Sequence, residues 1–179
     1  MVIPPPNYNS RPRILRDVSN PLTSIQFEIP FDQIRPEHVE PAIDQLIAEA
    51  ETQLEAIIAV QGPRTYANTL GALDDLGRGL WYAFGIVSHL EAVVTTPELR
   101  KAYNAALPKV SAFGTKLEIS QDLYQALKDY AATVEAQTLS PVRQRFLKLR
   151  LDDFRRQGAD LPPAKKERLE ALNTRLSEI

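Results

Sequence analysis

The sequence predicts an all-α protein: a bundle of six or seven helices around one long central helix, preceded by an extended strap. Two observations indicate this class. Apolar residues recur at helical spacing through most of the chain, and proline or glycine separates these stretches from one another. No convincing strand pattern is present, and no unit recurs at a period of about 20 to 50 residues, so a solenoid is not expected.

Composition limits the classes of partner. The chain has 179 residues, 44% of them hydrophobic, which suits one ordinary domain. Its 21 basic and 23 acidic residues give a net charge of -2, so we expect neither nucleic acid nor a membrane as a partner. Without cysteine there is no disulfide framework and no thiolate metal site, and no secretory signal follows Met1. We expect a cytoplasmic protein.

The predicted central helix covers residues 69–96. Between Gly79 and Leu90 it carries no charge, but this part is much shorter than the roughly 20 residues that span a bilayer, so we expect other helices to cover it on most sides. Its glycines, Gly71, Gly77, Gly79 and Gly85, are interpreted as places of close helix approach. The apolar residues at helical spacing are Leu70, Leu73, Leu80, Trp81, Phe84, Val87 and Val94.

Two segments precede the first helix. Residues 1–19 contain three consecutive prolines and no acidic residue before Asp17, and they are predicted to form a disordered arm. Residues 20–35 are predicted to be an extended strap laid over the helices. The apolar residues expected to anchor this strap are Ile25, Phe27, Ile29, Phe31 and Ile34.

The first helix is predicted to begin around Pro36 to Pro41, where proline is tolerated, and to end at Gly62-Pro63. One apolar stripe runs along it, with acidic residues around it, so it should pack along the central helix. The stripe consists of Val39, Ile43, Leu46, Ile47, Ala50, Leu54, Ile57 and Ile58.

Three more helices are predicted from their start signals. Thr96-Pro97 and Ser140-Pro141 each combine a cap with a first-turn proline, Ser120 caps the helix between them, and Pro108 is expected to kink or break the first of the three. Gly158 is predicted to close the last of them in the left-handed conformation. The expected buried residues are Leu99, Ala102, Tyr103, Ala106 and Leu107, then Leu123, Leu127, Tyr130 and Val134, then Val142, Phe146, Leu149 and Phe154.

A final helix is predicted from about Ala164 to the end of the chain. Leu169, Leu172, Leu176 and Ile179 form an apolar seam along it, and no glycine, asparagine or proline closes it. We therefore expect the native helix to continue beyond Ile179. In the 179-residue chain the seam should either fray from about Leu172 or associate with a second copy.

The sequence offers little chemistry. His38 and His89 lie far apart, and neither belongs to an H-E-x-x-H zinc motif, so His89 is interpreted as a core or interface histidine. Asp74-Asp75 is interpreted as a solvated face. The same surface role is expected of the basic residues Arg143, Arg145, Lys148, Arg150, Arg155 and Arg156, which Asp152 and Asp153 interrupt. We assign no catalytic, cofactor-binding or metal-binding residue in this chain.

The order of several motifs leads further. NPL (20–22), IRPEHVEPAI (34–43), TYANTLGALDDL (65–76), VSHLEAVVTTPELRKAYNAALPKV (87–110), LYQAL (123–127) and FRRQGADLPPAKKERLEALNTRLSEI (154–179) form an ordered series. In sequence and order, this series resembles the N-terminal region of the thimet oligopeptidase and oligopeptidase A family of zinc metallopeptidases. The resemblance covers residues 20–179.

The resemblance implies a large, mostly helical peptidase that cuts short peptides in a deep channel. It implies that residues 20–179 are a helical N-terminal domain, truncated at its C-terminal helix, that forms one wall of the channel. The zinc site of the family belongs to an H-E-x-x-H motif farther downstream, so the chain by itself is expected to be inactive. Two alternatives stay open, a freestanding helical interaction or regulatory domain and an unrelated scaffold bundle.

Overall fold

The computed structural model describes residues 20–162 together with Lys165 and Arg168. Within this part of the chain all regular structure is helical, which confirms the predicted all-α class. The elements are α1 (Pro36–Ile58), a π-helical turn (Tyr66–Leu70), α2 (Gly71–Asp75), α3 (Arg78–Val94), α4 (Pro97–Ile119), α5 (Gln121–Ala131), α6 (Val134–Gln137) and α7 (Pro141–Arg156). The predictions for residues 1–19 and for the seam at Leu169, Leu172, Leu176 and Ile179 fall outside the described residues.

The central helix of the bundle is α1, which packs against α3, α4, α5 and the short α2. Its start at Pro36 agrees with the prediction, and its apolar stripe is buried except for the partly covered Ile47 and Ile58. A side chain every three to four residues can point inward only when partners lie along that whole face. The long central helix is therefore present, but it is α1 and not residues 69–96.

Residues 69–96 do not form one helix, so that prediction was wrong. The chain breaks at Gly77, whose φ of 67° is left-handed and cannot belong to a right-handed helix. The Gly77 amide donates instead to Gln53 Oε1 on α1 at 3.0 Å. Because α3 begins only after this break, Leu80, Ile86 and Val87 are buried, whereas Trp81 is 44% exposed and Val94 is also exposed.

Close helix approach, predicted at four glycines, is confirmed at two. A Cβ on Gly77 would lie 3.7 Å from both Ala50 Cβ of α1 and Phe113 Cε1 of α4. A Cβ on Gly79 would lie 3.0 Å from Leu46 Cδ2, so α1 and α3 are in tight contact there. The neighbour of Gly71 is Tyr66 of the preceding turn, and Gly85 has no atom within 4 Å of a built Cβ. The interpretation was wrong for these two, because α3 turns its Gly85 side away from the other helices.

The strap from Asn20 to Arg35 is non-helical, as predicted, but its anchors are different. Leu22 and Ile34 are buried, whereas Ile25, Phe27 and Phe31 are exposed, so the expected apolar anchoring was wrong at those three positions. Polar groups hold the strap instead. Asn20 Nδ2 donates to the His38 carbonyl at 2.7 Å, and the Tyr82 hydroxyl donates to the Gln26 carbonyl at 3.0 Å.

The predicted helix starts are confirmed at all three positions. Thr96 Oγ1 accepts a hydrogen bond from the Leu99 amide at 3.2 Å, and Ser120 Oγ accepts one from the Leu123 amide at 3.3 Å. Ser140 is the residue before α7, although its side chain makes no capping bond. The predicted break at Pro108 does not occur, because α4 runs from Pro97 to Ile119 as one helix. On this helix Leu107, expected to be buried, is exposed.

The largest difference in side-chain burial is on α7. Of the expected stripe only Phe154 is buried, whereas Val142 is 78% and Leu149 39% exposed. Leu147 and Leu151 take their places, so α7 presents a neighbouring face to α5. Val134 was also expected to be buried but is exposed at the start of α6, because α5 ends at Ala131. Gly158 closes α7 with a φ of 87°, as predicted.

Among the described residues, no helix combines the length and the apolar character needed to cross a membrane.

Candidate functional site

The two histidines have different surroundings. His38 lies in the first turn of α1, where its Nδ1 accepts a hydrogen bond from the Arg35 amide at 3.1 Å, so it caps the helix. His89 is exposed, with the Phe31 ring 6.2 Å away between centroids. The interpretation of His89 as a core histidine was therefore wrong, and a role at an interface stays a prediction.

The donor set for a metal is poor in the described part of the chain. No group of three or more histidine, aspartate or glutamate side chains there is arranged to hold an ion. Asp74 and Asp75 are both exposed, and Asp75 pairs with Arg78, as expected for a solvated face. The described residues therefore offer no donor set that fits zinc.

The basic residues of α7 form a surface network, as predicted. Lys148 lies 2.5 Å and Arg155 3.0 Å from Asp152, and Lys148 is the main cause that lowers the pKa of Asp152. Arg143 lies with its Cζ 4.0 Å from the centroid of the Tyr66 ring. Arg150 and Arg156 pair with Asp153, so four of the six basic side chains lie beside one of the two acids on this helix face.

A groove of about 640 Å³ lies where α2, α3, α4, α5 and α7 meet. Its volume falls in the range of about 300 to 1,000 Å³ that is usual for ligand sites. Apart from Trp81, its apolar lining consists of Leu73, Leu76, Leu117, Leu123, Phe146 and Phe154. Sequence reasoning missed this groove because its residues come from five elements and because Trp81 and Phe146 were expected to be buried.

The Trp81 ring packs against two glycines, with its Nε1 near Gly77 and its Cη2 near Gly114. A Cβ on Gly77 would lie 3.2 Å from its Nε1, and one on Gly114 would lie 3.8 Å from its Cη2. The left-handed turn at Gly77 begins α3 at the angle that brings the indole over α4. The two glycines thus give the ring space, and one side of it stays open to solvent.

Charged side chains surround the apolar floor unevenly. On α7, Asp153 lies 2.9 Å from Arg150 and also pairs with Arg156, so these three charges largely satisfy one another. Asp74 of α2 and Glu118 of α4 also line the groove, and neither makes an ion pair or hydrogen bond with the described residues. The side formed by α2 and α4 therefore presents two free carboxylates.

The connection after α7 fixes one side of the groove. The Tyr124 hydroxyl donates to Asp160 Oδ2 at 2.7 Å, and the Tyr124 ring packs on Phe154 with centroids 5.5 Å apart. This hydrogen bond is the main cause that lowers the pKa of Asp160, while burial raises the pKa of Tyr124. Tyr124 thereby holds α7 on α5 and keeps Phe154 in the floor.

Comparison with known proteins identifies a family that this chain matches. The family model for the N-terminal domain of neurolysin/thimet oligopeptidase matches residues 43–166. The chain is 34% identical to oligopeptidase A of Escherichia coli over 163 residues, which cover 90% of this chain and 24% of that protein. It is also 29% identical to the probable cytosolic oligopeptidase A of Arabidopsis thaliana, covering 90% of this chain and 23% of the relative. The chain thus spans about a quarter of the length of these relatives.

Proposed function

This chain belongs to the neurolysin/thimet oligopeptidase N-terminal domain family, and from that premise we propose that it forms one wall of the channel of an oligopeptidase that degrades short peptides. The observation that carries this proposal is the family match, which covers residues 43–166 and therefore most of the described helices. The relatives are named oligopeptidases, and peptides are accordingly the proposed substrates.

The proposal assigns shape, and not chemistry, to these residues. The described part of the chain lacks a group of metal ligands, and His38 is engaged in capping α1. A zinc peptidase of this family would therefore need ligands from outside the described residues, and the H-E-x-x-H motif is expected farther downstream. The groove beside Trp81 is the part of the wall with the size and lining of a binding surface.

We propose the cytoplasm as the location. One plant relative is named a probable cytosolic oligopeptidase A, which supports this choice, although another is named organellar. The absence of cysteine from the chain is compatible with a reducing compartment.

The first test uses the chain by itself. We expect it to hydrolyse no peptide and to hold no stoichiometric zinc, because its sequence has no cysteine and only two widely separated histidines. Metal analysis of the purified chain, together with assays on peptides of several lengths, checks this. One tightly bound zinc per chain would contradict it.

The second test uses a chimera in which residues 20–179 replace the aligned quarter of Escherichia coli oligopeptidase A. We expect the chimera to hydrolyse peptides, with the unaltered bacterial enzyme as the control, because the domain should supply the missing wall. A chimera that is folded and zinc-loaded but inactive on every peptide would contradict the proposed role. It would favour a freestanding interaction domain instead.

A further inference from the structure

The groove beside Trp81 has an apolar floor that the described part of the chain leaves open. Trp81 and Phe146 were both expected to be buried from the sequence pattern, and both line this one groove. Trp81 is 44% exposed there, which is unusual for so large an apolar ring without a partner. The exposed part of the Trp81 ring therefore gives this groove apolar surface that a ligand can cover.

We propose that the groove binds short peptide substrates, with apolar side chains on the floor and a cationic group, such as a free N-terminal amine, beside Asp74 and Glu118. This inference rests on the proposed function and deepens it by naming the surface and the substrate chemistry. Since the described residues hold no group of metal ligands, the groove contributes binding and orientation.

Charge complementarity supports a cationic group in the occupant. Three acidic side chains, Asp74, Glu118 and Asp153, face the groove with two arginines, and Asp153 is the acid that both arginines engage. The two remaining carboxylates make no bond with the described residues, so an ammonium group can approach them without breaking an existing pair.

The same charges favour a short peptide over a packed protein domain. The centre of a stable protein interface is depleted of charged residues, because an unpaired charge loses its hydration when it is covered. Here two carboxylates that are unpaired among the described residues, Asp74 and Glu118, line the same groove as the apolar floor, beside three charges that pair with one another. A short, partly hydrated ligand leaves these groups in contact with water, whereas a covering domain would bury them.

Trp81 reports on the groove directly because it is the single tryptophan in the chain. We titrate the 179-residue chain with the peptide Phe-Leu-Leu-Phe carrying a free amine, with its N-acetylated form, and with a Gly-Ser-Gly-Ser peptide. The free-amine peptide should move the Trp81 emission to shorter wavelength in a saturable way. Acetylation should weaken binding about twofold to fivefold, the range that one exposed ion pair provides, and the Gly-Ser peptide should have no effect.

A matched pair of variants tests the charge assignment. The double variant Asp74→Asn, Glu118→Gln should bind the free and acetylated peptides equally, while Glu55→Gln, an exposed acid on α1 outside the groove, should keep the preference. Circular dichroism confirms that both variants are folded. An amine preference that survives the double variant would overturn the assignment to these two carboxylates.

Two further outcomes overturn the groove proposal while leaving the proposed function intact. The first is no response of Trp81 to any of the peptides when the chimera hydrolyses peptides normally. The second is an emission shift that depends on protein concentration without peptide and accompanies dimers in light scattering, which would assign the groove to a second copy. An inactive chimera would count against the proposed function itself, whatever Trp81 does.

Discussion

Helices α1 and α7 show how differently sequence pattern and packing can be related in one domain. On α1 six of the seven buried residues lie within the predicted stripe, and only Ala42 lies outside it. On α7 the prediction named Val142, Phe146, Leu149 and Phe154, whereas the buried residues are Leu147, Leu151 and Phe154.

The reason for this difference lies in the number of apolar faces. Helix α1 has one apolar face with acidic residues around it, so only one orientation buries the apolar side chains. Helix α7 has two series at helical spacing, one through Val142, Phe146 and Leu149 and one through Leu147, Leu151 and Phe154. When two faces compete, the neighbouring helix decides between them, and α5 selects the second.

The largest expected effect comes from replacing leucine with alanine on each face. Leu54→Ala on α1 and Leu147→Ala on α7 should each lower the free energy of unfolding by about 2 to 5 kcal/mol, because both side chains are buried. Leu149→Ala, two positions away on the exposed face, should cost less than about 1 kcal/mol. Urea denaturation measures all three, and equal losses for Leu147→Ala and Leu149→Ala would contradict the described orientation of α7.

A smaller effect on the free energy of unfolding is expected at two glycines, Gly77 just before α3 and Gly85 within it. Gly77→Ala should destabilise by about 1 to 2 kcal/mol, because its φ of 67° strains any residue with a Cβ. Gly85→Ala should stabilise by about 0.5 to 1 kcal/mol, since a Cβ there meets nothing within 4 Å and alanine favours a helix. Thermal unfolding measures the change in stability of both variants. A destabilised Gly85→Ala would show that α3 has a neighbour on that side.

The smallest effects separate the two tyrosines of α5. Tyr124→Phe should lower stability by about 0.5 to 1.5 kcal/mol because it removes the hydrogen bond to Asp160. Tyr130 is fully buried and its hydroxyl has no partner among the described residues, so Tyr130→Phe should be neutral or stabilising by up to about 1 kcal/mol. Chemical denaturation measures the free energy of unfolding of both variants. A clear loss of stability in Tyr130→Phe would reveal a partner for the Tyr130 hydroxyl.

The Tyr124 bond also has an expected pH dependence. The pKa of Asp160 is lowered below its ordinary value of 3.8, so its carboxylate contributes stability above that value and loses the contribution as the pH falls through the lowered pKa. The difference between Tyr124→Phe and the unaltered chain should therefore shrink in strong acid. A difference that stays constant at all pH values would contradict a bond to the ionised Asp160.

How much of this structure the sequence predicts depends on how far apart in the chain the interacting residues lie. Most local signals were reliable: the caps at Thr96 and Ser120, the start at Pro36 and the close at Gly158 all act within one turn of the chain. Pro108 is the exception, because α4 continues through it. Gly77 could have been read as a break, because a glycine between two apolar stretches fits a left-handed turn as well as a helix contact.

The groove depends on contacts that no local pattern contains. Its floor joins residues as far apart in the chain as Leu73 and Phe154, and its free carboxylates are recognisable only when the partners of every neighbouring charge are known. The strap shows the same limit, since the hydrogen bonds of Tyr82 to Gln26 connect residues 56 positions apart. Periodicity alone predicted a core role for Trp81 and an anchoring role for Phe27 and Phe31, all of which are exposed.

The most direct test of the central claim, that this domain shapes peptide binding without doing chemistry, is a series of kcat/KM values against peptide length. We would compare the chimera with its Trp81→Ala variant on apolar peptides of increasing length, and check folding and zinc content for each protein. The predicted result is a loss of kcat/KM that grows with length, because longer peptides reach the groove and shorter ones make fewer contacts there. An equal loss at every length, with folding and zinc content normal, would contradict the claim.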